Sequence, residues 1–360
     1  MAISILHIAP QNTAGLPYEI VKLERKFGFD SKLITMWKHP YGFKEDECLE
    51  LPAVAGPIIT RMQKLLRTTP QSPNKRRTNP EKIPPEWNGH RFPSRQLFAA
   101  RDFIWEKKMR KLGFPERLYD YDIIVLDSGI PLLRSCKWIS QWTNKKSKLS
   151  TFYYGTDLRW HGVLPQIANL TKAVFVFEFD HIALYPKASW LPYPFDTINF
   201  HSAKPKNNSP IRIGHAALRR SSKGTDIIID VLKKLQHTYN IEPVLIERVE
   251  HQKALRLKAS CDIFIDQLGE LGYGISGLES LAMGIPTVVE LLQDHEKFLG
   301  DHPFINANAN NLEDKLISLI EDFTYRDTIS RASIEWVKKF HNPERTMDII
   351  LTKYKELDWI

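Results

Sequence analysis

Short, continuous apolar runs set between segments of helical spacing most limit what this chain can fold into. In the first half the runs are Ile3 to Ala9, Ser31 to Met36, Ile123 to Leu126, Leu149 to Tyr154, Val174 to Phe177 and Trp190-Leu191. In the second half they are Ile211 to Gly214, Pro243 to Ile246, Ile263 to Asp266 and Thr287 to Glu290. Helical spacing fills Pro17 to Phe27, Arg95 to Lys111, Pro131 to Trp142, Thr225 to Tyr239, Gln252 to Ala259 and Ile275 to Met283. Strands that are apolar throughout, alternating with helices, require a parallel sheet covered on both faces. At about 150 residues per domain, 360 residues divide into two such doubly wound α/β domains.

The expected first domain is 1–195, interrupted by a basic, proline-rich insert at 61–111. A polar, proline-bearing linker follows at 196–210, then a second domain at 211–340. The last third is helical over Leu312 to Phe323, Tyr325 to Phe340 and Pro343 to Leu357, with Asn342 as N-cap and Pro343 at the first helical position. The final helix, 341–360, is expected to pack back toward the first domain.

A 42% hydrophobic share is enough for two cores, and no window approaches the roughly 20 apolar residues of a membrane span. The N-terminal MAISILHIAP lacks a basic leader and a cleavage site, so a cytosolic protein is expected. Cys48, Cys136 and Cys261 are scattered and form no CxxC pair, which argues against a disulfide framework or a cysteine-based zinc site. The net charge of +8 is concentrated: Arg61 to Lys111 holds fourteen Lys or Arg against four acids. The basic balance therefore describes one segment rather than a nucleic-acid-binding fold.

Ligands of open parallel sheets bind beyond the carboxyl ends of the strands. Three turns there carry suitable chemistry. In Cys261 to Val289 a strand ends at Asp266, Gly269, Gly272 and Gly274 follow, and a helix starts near Ile275. Its amides and dipole suit a diphosphate, and Glu279, one turn inside, could hold a ribose. Alternatively, the glycines only shape a turn and Glu279 is solvated; the residues leave both readings open. In Ile211 to Asp226, Arg219, Arg220 and Lys223 crowd a helix N-terminus, where an anion would offset their charge, unless they are simply exposed loop residues. In Ser150 to Gly162, Asp157, Arg159 and His161 alternate after Gly155, as a proton-handling or sugar-orienting set or as a surface salt bridge.

With these residues in place, the second domain resembles the GT-B glycosyltransferases of the group 1, family 4 type. Leu278 to Pro286, reading LESLAMGIP, and Gly272-Tyr273-Gly274 carry the resemblance. It implies two Rossmann-like domains facing across a cleft and a sugar moved from a nucleoside diphosphate donor, UDP- or GDP-linked, with retention and without metal or other cofactor. It assigns the donor ribose to Glu279 and the diphosphate to Lys223-Gly224, with Arg219 or Arg220, Gly274 and Ile275. The family's first acid falls at Leu271, with Glu270 one place before it as the catalytic candidate. In the first domain Gly15 matches an acceptor-side turn. The segment from Tyr154 through Asp157 to Arg159, with His161, matches the region near the anomeric carbon, with Asp157 as the second catalytic candidate.

The partners implied are a nucleotide-sugar donor and a glycan or lipid-linked acceptor. A binding-only relative is the alternative, separated by the absence of donor hydrolysis. A third reading uses the 61–111 arm, where Arg76-Arg77, Trp87, Arg91 and Phe92 interleave cations with aromatics, to bind nucleic acid. An anionic membrane surface or the acceptor is favoured over nucleic acid for that arm, with a solvated basic loop equally in play. A membrane role would make the protein peripheral at the inner face.

Overall fold

The computed structural model describes residues 2–40, 42–52, 82–87, 94–155, 157–197, 200, 209–217, 220–269 and 272–360. Arg219, Glu270, Leu271, most of the basic insert and most of the linker lie outside them. The chain forms two compact units: Met1–Leu191 with Thr346–Ile360, and Pro192–Arg345.

The first unit alternates strand and helix: β1 (Ser4–Ala9), α1 (Leu16–Lys26), β2 (Asp30–Thr35), β3 (Glu47–Cys48), α2 (Ser94–Lys111), β4 (Ile123–Asp127) and α3 (Lys137–Lys146). It continues through β5 (Leu149–Tyr153), α4 (Pro165–Leu170), β6 (Ala173–Val176), α5 (His181–Leu184) and β7 (Ser189–Trp190). Among the described residues these strands form one parallel sheet, ordered β3-β2-β1-β4-β5-β6-β7. Every residue of β4 and β5 is buried, which is why those runs show no polar alternation. The strand order reverses between β1 and β4, so the crevice of this unit lies beyond their carboxyl ends.

The second unit runs β8 (Ile211–Ala216), α6 (Arg220–Lys223), α7 (Thr225–Leu235), β9 (Ile241–Ile246), α8 (His251–Ala259), β10 (Ile263–Gln267), α9 (Ile275–Ala282) and β11 (Thr287–Val289). Then come α10 (Gln293–Leu299), β12 (Ile305–Asn306), α11 (Leu312–Glu321) and α12 (Phe323–Phe340), and α13 (Pro343–Glu356) starts here and runs into the first unit. The described strands of the second unit form a parallel sheet ordered β12-β11-β10-β8-β9, reversing between β8 and β10. His215 stiffens that point. Its buried Nδ1–H donates to the Ile265 carbonyl (2.8 Å) and its Nε2 accepts from the Thr225 hydroxyl (2.9 Å), tying β8 to β10 and α7.

From Thr346 the chain belongs to the first unit again. Met347, Ile350 and Tyr354 are buried there, Tyr354 meets Phe175 edge to face at 6.1 Å, and Lys148 donates to the Trp359 carbonyl.

The helix expected over Pro131 to Trp142 instead starts at Lys137 and ends at Lys146. Leu132, Leu133 and Cys136 are buried as the spacing implied, but in a turn, because Cys136 sits at φ 55 in the left-handed region and cannot be helical. Among the described residues, no helix is long and apolar enough to cross a membrane.

Candidate functional site

The switch point of the second unit gathers two of the predicted turns. Lys223, closing α6 after β8, places its ammonium 2.8 Å from Asp266 Oδ1 near the end of β10. The other oxygen, Asp266 Oδ2, accepts from the Gly274 amide at 2.9 Å, at the N-terminus of α9. A fully buried carboxylate thus joins the lysine to the helix start. Gly277 is needed beside it, since a Cβ there would come within 2.9 Å of Asp266 Oδ2. At Gly224, φ +63, a Cβ would lie 2.5 Å from the Leu268 carbonyl oxygen. Arg220, on the exposed side of α6, makes a two-bond pair with Glu247, each bond 2.8 Å. The sequence called for an outside anion to offset these cations; Asp266 and Glu247 supply carboxylates to Lys223 and Arg220 from within the chain. Arg219 and Glu270 lie outside the described residues.

Glu279, on the first full turn of α9 after Ile275, is 7% exposed. Its Oε2 accepts from Lys258 Nζ at 2.6 Å and its Oε1 pairs with His251 Nε2 at 2.7 Å. Burial opposes the charged form, but the Lys258 ammonium, with His251, outweighs it and holds the carboxyl below its ordinary pKa. It is therefore neither solvated nor exposed. The sequence reading missed Lys258 and His251, though a charge on the otherwise packed side of α8 was the available signal.

The first-unit turn divides its work differently. The Asp157 carboxylate accepts from three amides of its own loop: Tyr154 (2.8 Å), Gly155 (2.9 Å) and Leu158 (2.8 Å). Arg159 turns away from it to a two-bond pair with Asp180 and a longer contact, 3.4 Å, with Glu178. His161 is exposed at the end of the turn. Asp157 and Arg159 thus engage different partners. Asp180 and Glu178 were signalled by the acidic run that leaves the end of β6. Gly15 precedes α1 at φ 77, where a Cβ would lie 3.3 Å from the Phe43 ring.

Tyr154 leads to a cluster the sequence did not reveal. Its hydroxyl donates to Asp127, whose other oxygen lies 3.2 Å from His7 Nδ1, and His7 Nε2 meets Glu24 at 3.0 Å. Ser31 donates to the same Glu24 oxygen. His7, Glu24 and Asp127 are at most 1% exposed. Burial works against the imidazolium, but Glu24 and Asp127 outweigh it and push its pKa up to about 10. Burial and Asp127 push the Tyr154 phenol well above its ordinary pKa, so it remains a donor. Among the described residues, no group of three or more His, Cys, Asp or Glu is arranged to hold a metal ion.

No protein-family model matches the chain, and no curated protein sequence matches it. Solved structures do. A sucrose-phosphate synthase from Thermosynechococcus elongatus superposes with a TM-score of 0.61 at 11% identity, covering 99% of this chain and 99% of its own. HepE of Anabaena, in complex with UDP and glucose, gives 0.56 at 12% identity, over 99% of this chain and 100% of its own. A glycosyltransferase from Rickettsia africae gives 0.54 at 14%, over 99% and 98%. The chain has the GT-B fold. Identities this low carry the fold and no more. The GT-B match runs through both units, and the expected pair of doubly wound α/β sheets is present. In this GT-B chain the turn bearing Lys223, Asp266 and Gly274 stands at the second unit's strand-order reversal.

Proposed function

We propose that the protein is a glycosyltransferase that moves a sugar from a nucleoside diphosphate sugar, UDP- or GDP-linked, to a glycan or lipid-linked acceptor, with retention at the anomeric carbon and without a metal. The observation that supports this most is the start of α9, where Lys223, the Gly274 turn and Glu279 share one helix end at the switch point of a GT-B fold. HepE, of the same fold, has been captured with UDP and glucose. In the proposed complex the diphosphate lies at the helix end against Lys223, with Ile275 in the first turn and Arg220 at its rim. Lys223 keeps part of its surface exposed and one of its three donors on Asp266. Fixed amides and a cation offset the charge that grows on the departing diphosphate, and because they are already in place they need little reorganisation. Glu279 receives the ribose hydroxyls. In the first unit, the turn carrying Gly155 and Arg159, held in shape by the bonds of Asp157 to its amides and ending at His161, faces the acceptor and transferred sugar together with Tyr154 and the Gly15 turn after β1.

One observation favours a second reading: Asp157 spends its carboxylate on loop amides, as it would in a relative that binds a sugar nucleotide without transferring the sugar. A single experiment addresses both. Thermal-shift screening against UDP-, GDP-, ADP- and CMP-sugars is expected to give a selective rise in Tm that falls in Glu279→Ala and Lys223→Ala. Donor hydrolysis under the same conditions separates transfer from binding. A uniform lack of response, or one untouched by both substitutions, counts against the proposal.

A further inference from the structure

Lys258 is 1% exposed, on α8, in a unit where its neighbours on that face are apolar. Lysine is almost never buried to this degree unless it is paired. Here each of its three ammonium N–H groups has an acceptor: Glu279 Oε2 at 2.6 Å, and the Ser276 carbonyl and hydroxyl oxygens, both at 2.9 Å. The ammonium also lies 4.7 Å from the centre of the Phe264 ring on β10. A flexible four-carbon stem is thereby fixed at its tip by one carboxylate and by the first turn of α9. On the other carboxylate oxygen, His251, at the opposite end of α8, approaches to 2.7 Å. Side-chain exposure is 41% for His251 and 9% for Glu279.

We infer that Lys258 is a positioning residue: with His251 it clamps the Glu279 carboxylate in one orientation and ties that orientation to the helix start, so that a vicinal diol and a diphosphate are read as one rigid unit. The inference rests on the proposed ribose role of Glu279. The geometry gives it content beyond stability. A carboxylate held on both oxygens cannot turn about its terminal bond, and it keeps lone pairs for two hydroxyl donors. Lys258 also bonds Ser276, one residue after Ile275, and those two bonds fix where its ammonium stands against Glu279. Ground-state order of this kind improves affinity by reducing what binding must immobilise.

The test is calorimetric titration with UDP and with GDP, each beside its 2′,3′-dideoxy counterpart, using the full chain. The quantity read is the ratio of the two affinities, which a general loss of packing leaves unchanged. Wild type is expected to prefer the ribose form, and Glu279→Ala to lose that preference. Lys258→Met, close in length and without charge, should weaken the ribose form by about tenfold or more, the scale of a hydrogen bond to a charged group, while leaving the dideoxy form within about twofold. His251→Ala, at a part-exposed position, should lower the ratio in the same direction and carries the test if Lys258→Met does not fold. The double variant Lys258→Met/Glu279→Gln leaves no unpaired buried charge and should discriminate no worse than Glu279→Gln alone. A folded Lys258→Met that keeps the wild-type ratio, or that weakens both forms equally, overturns the inference. Unchanged discrimination in Glu279→Ala overturns instead the ribose assignment on which it rests.

Discussion

His7 lies inside an apolar strand yet carries charge, with Glu24 and Asp127 on its two ring nitrogens. Removing one partner of a buried ionic group leaves the others uncompensated, at about 3–5 kcal/mol. His7→Asn is therefore expected to lower unfolding free energy by about that amount at neutral pH, measured by urea denaturation. The pH dependence has a definite sign. The folded pKa is raised from 6.5 to about 10, so the contribution is complete below 6.5 and is lost as pH rises through about 10. The gap between wild type and His7→Asn should narrow over that window; a gap that widens would contradict a charged His7. Residues of this kind were not legible in the sequence, because their partners stand 17 and 120 positions away and nothing in local periodicity marks them. Gly274 and Glu279 were marked together, since a glycine-rich turn between strand and helix reveals itself over a short stretch, while Lys223 was marked separately by the basic loop after β8.

Among the elements, α9 shows how a local preference yields to packing. Alanine is a better helix former than glycine by about 1 kcal/mol, so propensity alone makes Gly277→Ala stabilising. The opposite is expected. The new Cβ would press on Asp266 Oδ2 at 2.9 Å, and Asp266 cannot step aside without giving up Lys223 or the Gly274 amide. A lower Tm in Gly277→Ala, accompanied by weaker nucleotide binding, would confirm that Asp266 anchors the helix start. A higher Tm would show that the carboxylate yields. Strand positions such as β4 and β5 were readable because their apolar runs are short, uninterrupted and bounded by turn residues. The start of α3 was not, because Leu132, Leu133 and Cys136 are buried at helical intervals while the backbone at Cys136 is left-handed.

Over the whole molecule, the division of the chain decides which pieces stand alone. The second unit is one continuous stretch, Pro192–Arg345, whereas the first needs Thr346–Ile360 from the far end. A fragment of 192–345 is expected to unfold cooperatively and, if the proposed donor site is right, to retain UDP affinity within about tenfold, since every residue assigned to that site is inside it. Deleting 346–360 should instead lower the stability of the first unit, by roughly 2–5 kcal/mol for each of the large side chains Met347 and Ile350 withdrawn from its core. Calorimetry of the two pieces checks both statements. The sequence suggested both a proline-bearing linker and the return of the final helix, but not which side chains seat that helix, because the burial of Met347, Ile350 and Tyr354 is tertiary.

The insertion of one unit within the other also sets an order of events during synthesis. Residues 192–345 can complete their sheet while the ribosome is still working, but the unit begun first keeps an unfilled face over Phe175 until the last turns of α13 emerge. Of the two units, the one begun first is then the last to be finished.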